Sequence, residues 1–211
     1  IGNPNLSPEK STSYTSNFEY YFERAKIGAS FFRHEVSDLL QFVGGTCSSA
    51  EATGIGVPLQ NCFKTSNVAN TRSQGFELEA GVKPWDWLYM ETGYMYLDSR
   101  NLDTDSFLFT RSPHSLKTRV RVEYDGWDFT TRVRYFSSFG FSDLNSNSRV
   151  DPNEKAPSNI QVDMRLSRTL KNGIEIYGGV ENITSSRMNV RSGSIPIAGE
   201  HLWFVGMRMA L

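Results

Sequence analysis

The sequence has little that an enzyme or a nucleic-acid-binding protein would need. Two cysteines and three histidines occur in 211 residues, which leaves no room for a clustered Cys/His metal site. Basic and acidic residues nearly cancel, 22 against 23, for a formal net charge of −1. That balance excludes recognition of nucleic acid through a strongly basic surface. No apolar run approaches the ~18 residues of a spanning helix, and mean hydropathy is negative. No nucleophile–base pair, glycine-rich phosphate loop or metal-ligand cluster stands out, so the expectation is a non-enzyme with no metal and no cofactor. The chain starts at Ile1 without a signal-peptide pattern, and is read as processed or as a piece of something longer.

What the sequence does have is alternation. A transmembrane barrel escapes hydropathy tests because only every second residue of a strand meets lipid. From His114 onward, Leu116, Thr118, Val120, Val122 and Tyr124 fall on one face, and Lys117, Arg119, Arg121 and Glu123 on the other. Asp125-Gly126 then supplies a tight hairpin signal, and the partner strand repeats the pattern with Phe129, Thr131, Val133 and Tyr135 against Asp128, Thr130, Arg132 and Arg134. Tyr14–Phe22, Phe76–Val82, Ile160–Leu166 and Trp203–Leu211 alternate likewise. Aromatic residues, at 13%, suit interfacial girdles. Nine strands are expected, over 10–22, 25–42, 63–84, 87–98, 114–124, 127–138, 159–170, 174–186 and 201–211. The second alternates least cleanly, because Phe31-Phe32 leaves its facing open. Almost no helix is expected.

Short turns near Glu23-Arg24, Pro84-Trp85-Asp86, Asp125-Gly126 and Lys171-Asn172-Gly173 alternate with long loops at 43–62, 99–113, 139–158 and 187–200. Outer-membrane barrels have this asymmetry, with short periplasmic turns and long outer loops. It favours an all-β transmembrane antiparallel barrel over a soluble β-sandwich. Nine strands also place the two ends on opposite sides of the membrane. Bacterial barrels close with an even number, and open edges in lipid are not viable, so further strands are expected from elsewhere.

Five segments then point to one family. Gly2-Asn3-Pro4-Asn5-Leu6-Ser7-Pro8-Glu9 resembles the N-P-N-L-x-P-E box of TonB-dependent receptors, which opens the last nine of their 22 strands. Arg72-Ser73-Gln74-Gly75-Phe76-Glu77-Leu78-Glu79 is similar to their R-x-x-G-x-E-x-E strand, and Pro113-His114-Ser115-Leu116 to their P-x-H-x-L strand start. Gly179-Val180-Glu181-Asn182-Ile183 resembles G-V-E-N-L, with Thr184-Ser185 in place of the usual Phe-Asp. Pro196-Ile197-Ala198-Gly199-Glu200 resembles the P-x-P-G-R element before the last strand, with Glu200 for Arg. Leu211 stands where an aromatic residue usually ends such barrels. The resemblance implies that residues 1–211 are the C-terminal segment of such a barrel, the plug domain and N-terminal strands lying outside this chain. It implies a multi-pass protein of the bacterial outer membrane, in contact with lipid and lipopolysaccharide, that imports a scarce nutrient with energy from TonB and ExbB–ExbD. A ferric siderophore is the leading substrate. A haem or cobalamin receptor, or a passive porin or adhesin, is the alternative.

Cys47 and Cys62 are both in the first long loop. The cell exterior permits disulfides, and a bridge here is expected to contribute about 3 kcal/mol. Lys117, Arg119, Arg121, Arg132, Arg134 and Arg165 are expected to face the lumen and plug, paired with carboxylates of neighbouring strands or of the plug rather than with an anionic substrate. Phe107, Phe109, Phe139, Phe141 and Arg149 are the candidate ligand contacts, competing with a role as interfacial anchors. His34, His114 and His201 are far apart in sequence, and haem ligation by them is the less favoured reading.

Overall fold

The computed structural model describes residues 4–45, 62–141, 149–186 and 200–209. The elements are β1 (Lys10–Tyr21), β2 (Ala25–Gly45), β3 (Cys62–Trp85), β4 (Leu88–Asn101), β5 (Ser106–Phe107), β6 (His114–Tyr124), β7 (Trp127–Phe136), β8 (Phe139–Gly140), β9 (Lys155–Ala156), β10 (Asn159–Thr169), β11 (Ile174–Glu181) and β12 (Leu202–Met209), with a 3₁₀ turn at Pro152–Glu154. The long strands form one antiparallel sheet in the order β1-β2-β3-β4-β6-β7-β10-β11-β12; β5 pairs with β4, and β8 and β9 form a separate small sheet. The nine expected strands are all present, and the architecture is the expected all-β one.

The turns follow from local chemistry. Asp125 and Gly126 both take positive φ, 46° and 75°, the backbone whose twist matches that of the flanking strands in a two-residue hairpin. Gly173 takes φ 80° in the turn that the Leu170 and Ile174 backbone groups close at 2.8 Å. Several strand ends differ from expectation by one to five residues; β4, for instance, runs on to Asn101. Two have a clear local cause. β11 stops at Glu181 rather than residue 186, because Asn182 turns left-handed and its Oδ1 accepts the Ser186 N–H at 3.1 Å. Asparagine side chains offer the backbone such a local alternative to a ladder. β2 runs on to Gly45 through a bulge, with a register shift between Val36 and Leu39 and Asp38 at φ 59°.

The bulge has a use. Glu9 accepts the Leu40 N–H at 2.6 Å. Asn67 of β3 donates to the Asp38 and Ser7 carbonyls at 2.6 and 2.9 Å and accepts the Ser7 N–H at 2.8 Å. One amide thus ties the N-terminal box to both long strands. Asn67→Ala removes three hydrogen bonds and leaves backbone groups unpaired, at about 1–2 kcal/mol. The expected result is faster amide exchange at Ser7 and Leu40 with β6–β12 unchanged; uniform protection across both regions would refute it.

The described residues hold hardly any apolar core. Among the described residues the buried hydrophobics are Phe141, Ala156 and Val180. One whole face of the sheet carries exposed large apolar side chains, from Phe18 and Leu78 to Ile160 and Val205, the last 83% exposed. Monomeric soluble proteins rarely expose continuous apolar patches beyond a few hundred Å², so this face needs a non-aqueous neighbour. At the short-turn end it is edged by Tyr20, Phe22, Tyr124 and Trp127 and by Trp85 and Trp87, stacked 5.3 Å apart. At the other end Phe31, Phe76, Tyr96 and His114 lie side by side. Phe76 and Trp85 are nine residues apart on β3, which is roughly 30 Å of strand and, at a tilt of about 40°, close to the ~25 Å apolar band of an outer-membrane barrel. Phe31 and Phe32 resolve accordingly: Phe31 opposes Phe76 on the apolar face, and Phe32 opposes Gly75 on the other.

Candidate functional site: the charged face of the sheet

The opposite face is a field of charge. Strand register sets Lys117 against Arg134 and Arg119 against Arg132, and aligns Arg121, Thr130 and Arg165 across three strands. All six sequence-proposed basic residues therefore share this face. Like charges directly opposite are unfavourable, and carboxylates on adjoining strands offset most of the repulsion. Arg119 reaches Glu91 at 3.0 Å, Arg121 bonds Asp128 at 2.8 Å, Arg134 bonds Asp163 at 2.8 Å and Arg165 bonds Glu175 at 2.7 Å. The Arg165 guanidinium also lies over the Tyr177 ring at 4.7 Å.

Two carboxylates act as hubs. Glu175 takes Arg165 from β10 and Arg208 from β12, at 2.7 and 2.6 Å, and so joins three strands. Asp163 accepts Arg134 through one oxygen and the Asn182 N–H, at 2.9 Å, through the other. It thereby fixes both the basic cluster and the end of β11. Lys117 and Arg132 have no ion-pair partner among the described residues. Both line a cavity of about 380 Å³ with Lys26, Glu79, Glu91 and Arg134. The charged face as a whole presents a polar, ion-paired wall with an excess of positive charge at its centre, suited to a polar protein surface, water or an anion.

The aromatic ligand candidates divide. Phe107, on β5, turns to the other face, where Arg100 lies 4.7 Å over its ring. Phe109 packs against Gly140, and Thr110 donates to the Gly140 carbonyl at 2.7 Å. Phe139 lies on β8 opposite Ala156. Phe141 is 9% exposed, beside the fully buried Glu154 and Ala156. Phe109 thus packs against β8, and Phe139 and Phe141 lie on or next to the small β8–β9 sheet, whereas Arg149 is exposed. The sequence shows none of this, because loop packing has no period. The histidines stay apart: His34 bonds Ser13 at 2.6 Å, His114 bonds Tyr94 at 2.7 Å on the apolar face, and His201 bonds Ser185 at 2.9 Å. Cys47 lies outside the described residues, as does the side chain of Cys62; the Cys62 backbone pairs with Gly45 at the root of that loop.

At the loop end, Asp103 receives the Asn70 side-chain amide at 2.9 Å and the Asn70 backbone N–H at 2.8 Å. These bonds hold its carboxyl below the usual carboxylate range. A carboxyl with a depressed folded pKa contributes fully above its unfolded value and loses that contribution as pH falls through the folded one. The Asn70 N–H should therefore be protected from exchange at pH 6 and lose protection below about pH 4; pH-independent protection would contradict the role.

Comparison with known proteins agrees with this geometry. Residues 1–183 match the family model "TonB dependent receptor-like, beta-barrel". The vitamin B12 transporter BtuB of Vibrio vulnificus is 27% identical over 141 residues, 64% of this chain and 20% of that protein. Among solved structures, a variant of the ferric enterobactin receptor of Pseudomonas aeruginosa superposes with a TM-score of 0.75 at 15% identity, covering 97% of this chain and 31% of the other. The copper transporter OprC gives 0.73 at 15% identity, with 97% and 30% covered. The chain spans about a fifth of the curated relative it matches and under a third of these structures. The described strands, their two faces and the family match lead to one assignment: this chain belongs to the TonB-dependent receptor-like β-barrel family.

Proposed function

We propose that the chain supplies the last nine strands of an outer-membrane receptor that imports a ferric siderophore, with the plug and the first strands supplied by sequence outside it and with TonB and ExbB–ExbD as the energy source. The observation that carries this reading is the contrast between the two faces. One is apolar between two aromatic edges; the other is an ion-paired wall with Lys117 and Arg132, which have no ion-pair partner among the described residues, over a cavity of about 380 Å³. A polar plug against that wall supplies the missing counter-charges, and a barrel of about 22 strands has a lumen too wide for its own side chains to fill. The ferric enterobactin receptor and two siderophore receptors named PirA among the structural neighbours support iron as the cargo. A Cys47–Cys62 disulfide closes the first outer loop in this reading, and non-reducing gel mobility before and after reduction tests it.

The sequence relative BtuB favours a second reading, cobalamin import. Growth of a strain lacking the receptor, on single iron sources and separately on limiting cobalamin, distinguishes the two. Siderophore import predicts rescue by the intact gene on a ferric siderophore, abolished when TonB is deleted. Rescue on cobalamin alone would replace the first reading with the second. Rescue that persists without TonB would indicate a passive pore.

A further inference from the structure

Asp163 passes over its nearer cation to reach a farther one. In the register of β7 and β10, Arg132 stands directly opposite Asp163, whereas Arg134 stands opposite Gln161, one step closer to the long loops. Directly opposite side chains are ~5 Å apart at Cβ, and diagonal ones ~7–8 Å. Yet the carboxylate bonds Arg134, at 2.8 Å, and Arg132 has no ion-pair partner among the described residues. The cause lies on the other side of β10. Asn182 turns left-handed just beyond β11, and its N–H donates to the second Asp163 oxygen at 2.9 Å. Arg134 and Asn182 together draw the carboxylate toward the loop end, against the pull of Arg132.

The hold on the loop side is a light one. Arg134 grips Asp163 through Nη2, while its Nε is buried without a hydrogen bond, so the pair lacks the two parallel bonds of the strongest arginine–carboxylate contacts. The rival cation has its own reason to attract a carboxylate. Arg132 faces Arg119 directly across β6, and like charges so placed are unfavourable. One side chain therefore has two arrangements. In the observed one Asp163 leans toward the loops and holds Arg134 and Asn182. In the other it swings to Arg132 and releases both at once. Release of Asn182 frees more than one amide, because its Oδ1 accepts the Ser186 N–H at 3.1 Å and the Thr184 hydroxyl at 3.0 Å.

The geometry points to Asp163 as a two-position coupling residue, which ties the charge state of Arg132, on the cavity of about 380 Å³, to the order of the turn at Asn182, from which the last long loop departs. A negative group seated on Arg132 removes the rival and tightens the turn; a bare Arg132 loosens it. Coupling of this kind is reciprocal, so whatever orders the turn also leaves Arg132 open to a negative group. The coupling goes beyond the transport reading and holds for any cargo.

Site-resolved amide hydrogen exchange of the full-length receptor in detergent tests this. Arg134→Gln removes the loop-side cation, Asp163 moves to Arg132, and the Asn182 amide should exchange about tenfold faster, the scale of one charge-assisted hydrogen bond. Arg132→Gln removes the rival and should slow the same amide below the parental rate. The double variant, Arg132→Gln with Arg134→Gln, separates coupling from simple support. With neither cation present Asp163 stays on Asn182, and exchange should return close to the parental rate. The Gly178 amide, inside the β11 ladder, should exchange alike in every variant and reports that each is folded. If the double variant exchanges as fast as Arg134→Gln alone, the two arginines act independently and the proposal falls. It falls equally if Arg132→Gln exchanges at or above the parental rate, or if Arg134→Gln leaves the Asn182 amide unchanged.

Discussion

Replacing Gly75 by alanine should nearly abolish folding of the barrel. Gly75 lies on the charged face, where a Cβ would stand 1.9 Å from the Tyr96 carbonyl oxygen and 3.0 Å from the Phe32 ring. The first of these is backbone of the adjoining strand, so relief requires β3 and β4 to part. Overpacking commonly costs about 1–3 kcal/mol, and displacement of a ladder puts this site at or above the upper end, at least ~3 kcal/mol. The control is Gly93→Ala, whose Cβ would have its nearest neighbours at 3.9 Å. Heat-dependent gel mobility of unboiled samples reads the folded fraction. Near-complete loss is expected for Gly75→Ala and near-parental folding for Gly93→Ala; similar folding of the two would show that the close approach is not a constraint.

The second large effect separates the faces. Val120 lies midway along β6 on the apolar side, flanked by Met90 and Thr131. An arginine near the bilayer midplane on a lipid-facing position costs ~2–4 kcal/mol, so Val120→Arg should destabilise the reconstituted barrel by that amount in urea titrations. Arg132→Val, on the neighbouring strand but the other face, removes a cation with no ion-pair partner among the described residues and should stay within about 0.5 kcal/mol. If Val120→Arg were as stable as the parent, the apolar face would not be in hydrocarbon.

Strands and turns were legible because both have local causes. Alternation such as Leu116, Val120 and Val122 against Lys117, Arg119 and Arg121 needs only the two-residue period of a strand, and Asp125-Gly126 needs only its own backbone preference. What escaped reading depends on partners distant in sequence. Asn67 is one polar residue among many in its strand, until the bulge at Asp38 and the box at Ser7 are brought to it. Asn182 reads as one more residue of an extended segment, until its side chain bonds Ser186. Phe141 looked like a surface ligand contact but is buried beside Glu154, and Phe107 turned outward to Arg100. The ion pairs of the charged face lie between: their residue types were visible, but the roles of Asp163 and Glu175 as hubs depend on which strands lie side by side.

The strict two-residue rhythm also works as error checking during assembly. A strand added one position out of register exchanges its faces. For β6 alone, such a slip would turn Lys117, Arg119 and Arg121 outward and Leu116, Val120 and Val122 inward. At ~2–4 kcal/mol for a cation near the midplane and less toward the interfaces, the nearest wrong pairing is penalised before the next strand arrives. Charge on the polar wall therefore penalises a misaligned strand while the sheet is being built, in addition to whatever it does afterwards.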